Sequence, residues 1–283
     1  RRTEAAARGK LRGMGIATVI EIAGGPLPLP NEESAAVRFD TDGGVSVLMG
    51  THSHGQGHET AFAQIASEAL GVPFDSIRVQ YGDTDLVHHG KGTFGSRSIS
   101  VGGAALLRAS EKIIERATLI AAHLLEAAAA DIQFDDGVFT VSGTDRTITL
   151  PDVAKASYLP AKMPREMDMG LSEGAIIVPP GPTYPNGAHA CEVEIDPDTG
   201  VVEIIAYTVF DDVGVALNPM MVKGQVHGGV VQGAGQALLE RVVYDPDSGQ
   251  LLTGSFMDYA MPRAEDFPSF DVHEHNIPSK NNP

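Results

Sequence analysis

Three histidines, His52, His54 and His58, stand within seven residues and follow a strand-like run at residues 45–49. His-x-His at a strand end is what a metal-dependent hydrolase presents, because two imidazoles so spaced can share one zinc ion and activate a water. Such a centre needs further ligands from later strand ends. His88, His89, His189 and His227 are available, but none closes a strand at the repeated spacing of a β/α barrel, and the eight units of a barrel are missing. The hydrolase reading stands as an alternative.

A second kind of chemistry recurs three times. Gly55-Gln56-Gly57-His58-Glu59-Thr60 precedes a helical run at residues 61–70. Gly92-Thr93-Phe94-Gly95-Ser96-Arg97-Ser98, then Gly102-Gly103, precedes a longer one. Gly224-Gln225-Val226-His227-Gly228-Gly229 precedes a third, expected over residues 229–239 and carrying Gln232, Gly233 and Gly235. Helix starts expose backbone N–H groups and the positive end of the helix dipole, and glycine lets a ligand approach the backbone. Arg97 is expected to add a guanidinium fork for phosphate. No loop ends in Gly-Lys-Ser/Thr, and none gives Gly-x-Gly-x-x-Gly after a strand, so neither a P-loop nor a nicotinamide-dinucleotide fold is indicated. The ligand expected is large, anionic and rich in hydrogen-bond acceptors. The structural alternative is three tight connections whose glycines serve packing, and a ligand-free assembly module would follow from it.

Asp211-Asp212 closes an apolar strand, where catalytic acids often sit, although capping the following turn is the commoner use. Asn218-Pro219 reads as turn chemistry. The sole cysteine, Cys191, excludes an intramolecular disulfide, a four-cysteine iron–sulfur cluster and a zinc–thiolate site within this chain. It fits a reducing, cytoplasmic compartment. A net charge of −17 argues against nucleic-acid binding. No apolar run reaches the roughly 20 residues of a membrane helix. Both termini read as cuts through a longer polypeptide.

The 283 residues, 42% of them hydrophobic, are ample for a core. Strands are expected at 15–22, 35–39, 45–49 and 77–81, with a hairpin turn at Thr41-Asp42-Gly43-Gly44. The longest helix is expected over 104–129, with Leu106, Ile113, Ala117, Ile120 and Leu124 as its apolar stripe. A hairpin is expected around Gly143. Six prolines between residues 160 and 185 exclude a regular helix or central strand there. Strands at 189–195 and 201–210 flank Asp196-Pro197-Asp198-Thr199-Gly200, and Asp245–Gly249 makes a similar turn. The expected fold class is α+β with mixed sheets, in two lobes: 1–158, a proline-rich connection at 159–187, and 188–283.

Taken in order, several segments resemble the molybdenum-binding large subunit of the xanthine dehydrogenase, aldehyde oxidase and carbon monoxide dehydrogenase family. They are Arg8-Gly9-Lys10-Leu11-Arg12-Gly13-Met14-Gly15-Ile16, the 55–60 loop, Gly82-Asp83-Thr84-Asp85, the 92–98 loop, Asp211-Asp212-Val213-Gly214 with Asn218-Pro219, residues 224–236, Met257-Asp258-Tyr259, and the closing Asn282-Pro283. The resemblance is nearest to bacterial members that carry molybdopterin cytosine dinucleotide. It implies that Gln56, Gly57, His58 and Thr60 bind the pterin or diphosphate region, and that Thr93, Phe94, Gly95, Ser96, Arg97 and Ser98 form a second cofactor segment. Asp212, Val213, Gly214, Asn218, Gln225 and Gln232 would form a third. It also implies a molybdenum atom held by the pterin dithiolene with no protein ligand. Water-derived hydroxylation of an aldehyde, an N-heterocycle or carbon monoxide would follow, with [2Fe-2S] clusters and FAD on partner domains or subunits in a dimer of heterotrimers.

The catalytic glutamate of that family belongs to a Gly-x-Gly-Glu segment just after the closing Asn-Pro. None of Glu192, Glu194, Glu240, Glu265 or Glu274 lies in that context, so no catalytic residue is expected here and this piece alone is expected to be inactive. The substrate-selecting loop is not matched either.

Overall fold

A computed structural model describes residues 1–25 and 31–282; Pro283 of the closing pair lies outside these. The chain forms two units, Arg1–Glu21 with Tyr184–Pro278, and Ile22–Thr183 with Ser279–Pro283. The α+β class holds, with mixed sheets and packed helices.

The larger unit is built on alternation. In β2 (Glu33–Phe39), Glu33, Ala35, Val37 and Phe39 are buried and the residues between them half-buried, so one face takes the core. β2 pairs antiparallel with β3 (Val45–Met49) through the expected turn, where Gly43 takes φ 92° and the Asp42 carboxylate accepts from Gly44 N–H at 2.9 Å. α2 (His58–Leu70) then crosses back so that β4 (Ile77–Gln80) lies parallel to β3. Across this sheet runs α3 (Ala104–Leu124), with Leu106, Ile113, Ala117 and Ile120 fully buried as the stripe required. Phe62 of α2 is also fully buried in this core; a phenylalanine so placed is worth about 3–5 kcal/mol against truncation to alanine. α3 stops before the expected 129, because Glu126 adopts φ 47° and the Arg146 guanidinium binds the Leu125 carbonyl. A meander of β5 (Ile132–Asp135), β6 (Val138–Val141) and β7 (Thr147–Thr149) leads into α4 (Leu150–Ala156), capped by Thr149.

Residues 159–187 are more than a connection. Their proline-free stretch Ser172–Ile177 forms β8, which pairs with β2 at the edge of the sheet order β4-β3-β2-β8. The edge is where prolines on either side can be tolerated.

The smaller unit depends on a long-range pairing. α1 (Arg2–Ala7) leads into β1 (Leu11–Ile20), which is antiparallel to β9 (Asn186–Ile195) along its full length. β9 pairs with β10 (Val202–Asp212), and β10 lies parallel to β11 (Asp271–Glu274). The units therefore differ from a linear 1–158 and 188–283 division: β1 belongs with the later half because its hydrogen-bonding partner is there. Charge reinforces the pairing. Arg12 donates to Glu192 and to Glu194 (2.9 Å), Arg8 to Glu194 at 2.6 Å, and Lys10 to Asp196 at 2.6 Å.

Candidate functional site

In the larger unit, the chain leaving β3 turns sharply at Gly50. A Cβ there would lie 2.0 Å from Glu33 Oε1 and 2.9 Å from Gly90 Cα, so residues 50 and 90 pass each other only as glycines. Gln56 accepts a hydrogen bond from His54 N–H, tightening the loop. Gly57, at φ 75° and ψ 36°, is the residue before α2 and offers no side-chain cap. Within the first turn the Glu59 N–H is met by its own carboxylate, which leaves the neighbouring first-turn amides for a ligand to approach. His58, 2% exposed, turns inward against Phe62 with ring centroids 5.1 Å apart, and burial pushes its imidazole pKa down. Glu59 stands in the first turn, but its carboxylate accepts from the Tyr81 hydroxyl, which also holds its pKa below the usual range. Thr60 is exposed.

The 92–98 loop is under conformational strain. Gly92, Gly95 and Ser96 take φ of 89°, 54° and 52°, and for Ser96 that left-handed conformation is unfavourable. It is held by Gly25 N–H, which donates to the Gly95 carbonyl at 3.0 Å, and by Gly24 N–H, shared between the Gly95 and Ser96 carbonyls. Residues Ser98–Gly103 then form a π-helical turn before α3, a rare feature that concentrates at functional sites. Asn282 donates from its side chain to the Ser100 carbonyl at 2.6 Å.

Arg97 is not the outward fork that the sequence suggests. Its side chain is 0% exposed and faces Glu33, also 0% exposed, as a charge-assisted pair. The same guanidinium donates to the Gly92 and Glu32 carbonyls, each at 2.6 Å, and lies 5.0 Å from the Phe94 ring centroid. Glu33 in turn accepts from Ser34 N–H at 3.0 Å. Arg97 thus clamps the base of the loop, leaving Phe94, Gly95 and Ser96 exposed at its tip. Glu33 has no local sequence signal, since 64 positions separate it from Arg97.

Thr93 joins the two loops. Its hydroxyl donates to the His52 carbonyl at 2.6 Å, accepts from His52 N–H at 3.2 Å, and lies 2.9 Å from Ser98 Oγ. Gly82, at φ 75°, packs on the His52 ring, bringing the Gly-Asp-Thr-Asp segment to the same place. The histidines form no cage: the His52 and His54 rings lie 4.9 Å apart, while His58 is buried. Among the described residues no three His, Cys, Asp or Glu side chains are placed to hold a metal ion.

The third segment differs from expectation. The helix expected at 229–239 is α5 (Pro219–Leu238), so the Gly224 to Gly229 stretch lies within it rather than ahead of it. The start signal is Asn218-Pro219: Asn218 accepts from Met221 N–H at 3.1 Å and Pro219 occupies the first turn, where its missing N–H costs nothing. Glycine's low helix propensity argues against a helix here, and the cap and context override it. A Cβ at Gly224, Gly228, Gly229 or Gly233 would meet nothing within 4 Å, which leaves bare helical backbone beside the exposed Gln225 and Gln232. Asp212 caps a turn, its Oδ1 accepting from Gly214 N–H and Ile277 N–H, each at 3.0 Å. Val213 N–H reaches Asn276 Oδ1 at 3.4 Å. These residues, with Asn218, belong to the smaller unit; Gln56 to Thr60 and Thr93 to Ser98 belong to the larger.

The uncapped start of α2 and the strained loop tip, both in the larger unit, suit an anionic, acceptor-rich ligand. The molybdopterin cofactor-binding domain family matches residues 1–268. Over 99% of its length the chain is 39% identical to the carbon monoxide dehydrogenase large chain of Afipia carboxidovorans, and 36% identical to the nicotine 6-hydroxylase large subunit of Paenarthrobacter nicotinovorans. It spans 36% and 35% of the length of those relatives. The crystal structure of quinoline 2-oxidoreductase from Pseudomonas putida 86 superposes with a TM-score of 0.87 at 37% identity, covering 100% of this chain and 37% of that one. With a family match across nearly the whole sequence, the chain belongs to the molybdopterin cofactor-binding domains of molybdenum hydroxylase large subunits.

Proposed function

We propose that this chain binds molybdopterin in its cytosine dinucleotide form, as part of an oxidoreductase that hydroxylates or oxidises a small substrate. The observation that carries the proposal is the pair of joined loops in the larger unit, one ending at the uncapped start of α2 and the other strained at Gly95 and Ser96. Amides at residues 57, 58 and 60 would receive an anionic group, with Gln56 and Thr60 beside it. Thr93, Phe94, Gly95, Ser96 and Ser98 would line the second segment, its shape fixed by Arg97. The turn Asp212, Val213 and Gly214, with Asn218, Gln225 and Gln232, would supply the third. When bound, the cofactor supplies a redox-active molybdenum centre; the residues here bind it, orient it and limit its exposure to water.

The relatives' names, carbon monoxide dehydrogenase, nicotine 6-hydroxylase and quinoline 2-oxidoreductase, favour carbon monoxide or an N-heterocycle as the small substrate, with an aldehyde as the further class the sequence resemblance implies. The matched 6-hydroxypseudooxynicotine dehydrogenase complex subunit gamma favours a multisubunit assembly. Partners carrying [2Fe-2S] clusters and FAD would take up the electrons, in a cytoplasmic dimer of heterotrimers.

Thr60→Asp tests the reading. A carboxylate in the first turn of α2 suits the helix dipole, by about 0.3–1 kcal/mol, yet repels an anion at the same amides. In the holoenzyme the thermal midpoint should hold or rise while molybdenum and pterin per enzyme fall severalfold. Full cofactor content in this variant would refute anion binding at α2. Zinc retained in stoichiometric amount, with no pterin, would instead favour the His52 and His54 hydrolase alternative.

A further inference from the structure

Within the smaller unit, a line of side chains links the Asp212 turn to the middle of α5. Asp211, one residue before that turn, folds its carboxylate over Gly187, where a Cβ would lie 1.8 Å from Oδ1. The same Oδ1 lies 3.4 Å from Nε2 of His189 on β9. Nδ1 of His189 lies 3.2 Å from the Tyr207 hydroxyl on β10. Burial pushes the Tyr207 pKa up, so the phenol keeps its proton and can donate. The Tyr207 ring meets Phe270 edge-on, centroids 5.7 Å apart, and Phe270 meets His227 of α5 edge-on at 5.2 Å. His227 lies in α5 between Gln225 and Gln232.

We propose that Asp211, His189, Tyr207 and Phe270 form a positioning strut that holds the Asp212–Val213–Gly214 turn in fixed register with Gln225 and Gln232. This rests on reading both places as cofactor-binding. An imidazole can bridge the two neighbours: with Tyr207 donating to Nδ1, the neutral ring carries its proton on Nε2, facing Asp211. The backbone completes the anchorage, because the Asp211 carbonyl accepts from His275 N–H at 2.9 Å. Asp211, which leads into the turn, is thus held at its carboxylate by the line that ends against α5 and at its main chain by His275.

Four variants of the holoenzyme test this: His189→Leu, His189→Gln, Tyr207→Phe and Gln225→Ala. The measurements are molybdenum and pterin per enzyme, and hydrogen exchange at Gly214 N–H. Glutamine can present an acceptor and a donor much as the neutral ring does, so His189→Gln should retain cofactor and slow exchange. His189→Leu should lose cofactor severalfold and speed Gly214 exchange about fivefold, the worth of one neutral hydrogen bond. Tyr207→Phe, which removes only a hydroxyl, should speed that exchange without unfolding the protein. Gln225→Ala should lose cofactor with Gly214 exchange unchanged. Cofactor retained in His189→Leu but lost in Gln225→Ala would overturn the strut and leave the cofactor reading standing. Glutamine as damaging as leucine, or unchanged exchange in Tyr207→Phe, would also overturn it. Full cofactor content in Gln225→Ala would remove the binding role of α5 and, with it, the strut's purpose.

Discussion

Arg97 shows how one residue can serve a site without touching its ligand. Two opposite charges, each fully buried, cost far more apart than together, so removing one leaves the other stranded. Arg97→Gln should therefore destabilise the protein by about 3–5 kcal/mol, whereas Arg97→Lys keeps the charge and loses the fork that reaches the Gly92 and Glu32 carbonyls together. The expected result for the lysine variant is a folded protein with a looser 92–98 loop, read as faster amide exchange at Ser96 and reduced cofactor content. An exposed, phosphate-binding arginine would give the reverse for the glutamine variant: normal thermal stability with cofactor loss. The residue types of this loop were legible in the sequence, but which way Arg97 points was not, because that depends on a carboxylate contributed by another strand.

At the scale of elements, periodicity and turn chemistry located most of the fold. β2, β3 and α2 follow from alternation, the Asp-Gly-Gly turn and a helical stripe closed by Gly71. The start of α5 was legible too, in Asn218-Pro219, but glycines inside the helix masked it. β5 went unread although Asp136-Gly137, with φ of 40° and 77°, is a recognisable two-residue hairpin turn. That turn abuts the end of α2, and neither glycine at the contact can carry a side chain: a Cβ on Gly71 would lie 2.0 Å from Gly137 N, and one on Gly137 would lie 2.2 Å from the Gly71 carbonyl oxygen. Gly71→Ala adds a left-handed alanine to that clash, so a loss of about 2–4 kcal/mol is expected by denaturant unfolding. A loss under half a kilocalorie would mean that the hairpin shifts freely.

At the scale of the whole molecule, a cluster of ion pairs sets how the smaller unit responds to acid. Lys10 and the N–H groups of Thr199 and Asp198 hold the Asp196 carboxyl down to about 2. Arg12 and Arg8 lower Glu192 and Glu194 respectively. Since the folded pKa values lie below the unfolded ones, the unfolded chain binds more protons in this range, so the stabilisation is complete above about pH 5 and fades as pH falls toward 2. Asp196→Asn should flatten the acid limb of the stability curve for β1 and β9 while sparing α2 and α3. High salt should mimic it in part, because these groups are close to solvent. An unchanged acid limb would mean that the pairing of β1 with β9 rests on its backbone ladder alone.

That ladder also dictates a timetable for the nascent chain. Leu11 cannot meet Ile195, nor Ile20 meet Asn186, until the whole inserted unit has left the ribosome. Through that interval a ten-residue segment bearing Leu11, Met14, Ile16, Val19 and Ile20 stays unsatisfied along both edges. Slow translation downstream would prolong its vulnerability, so chaperone demand during biosynthesis should fall on β1 and be relieved only when β9 emerges.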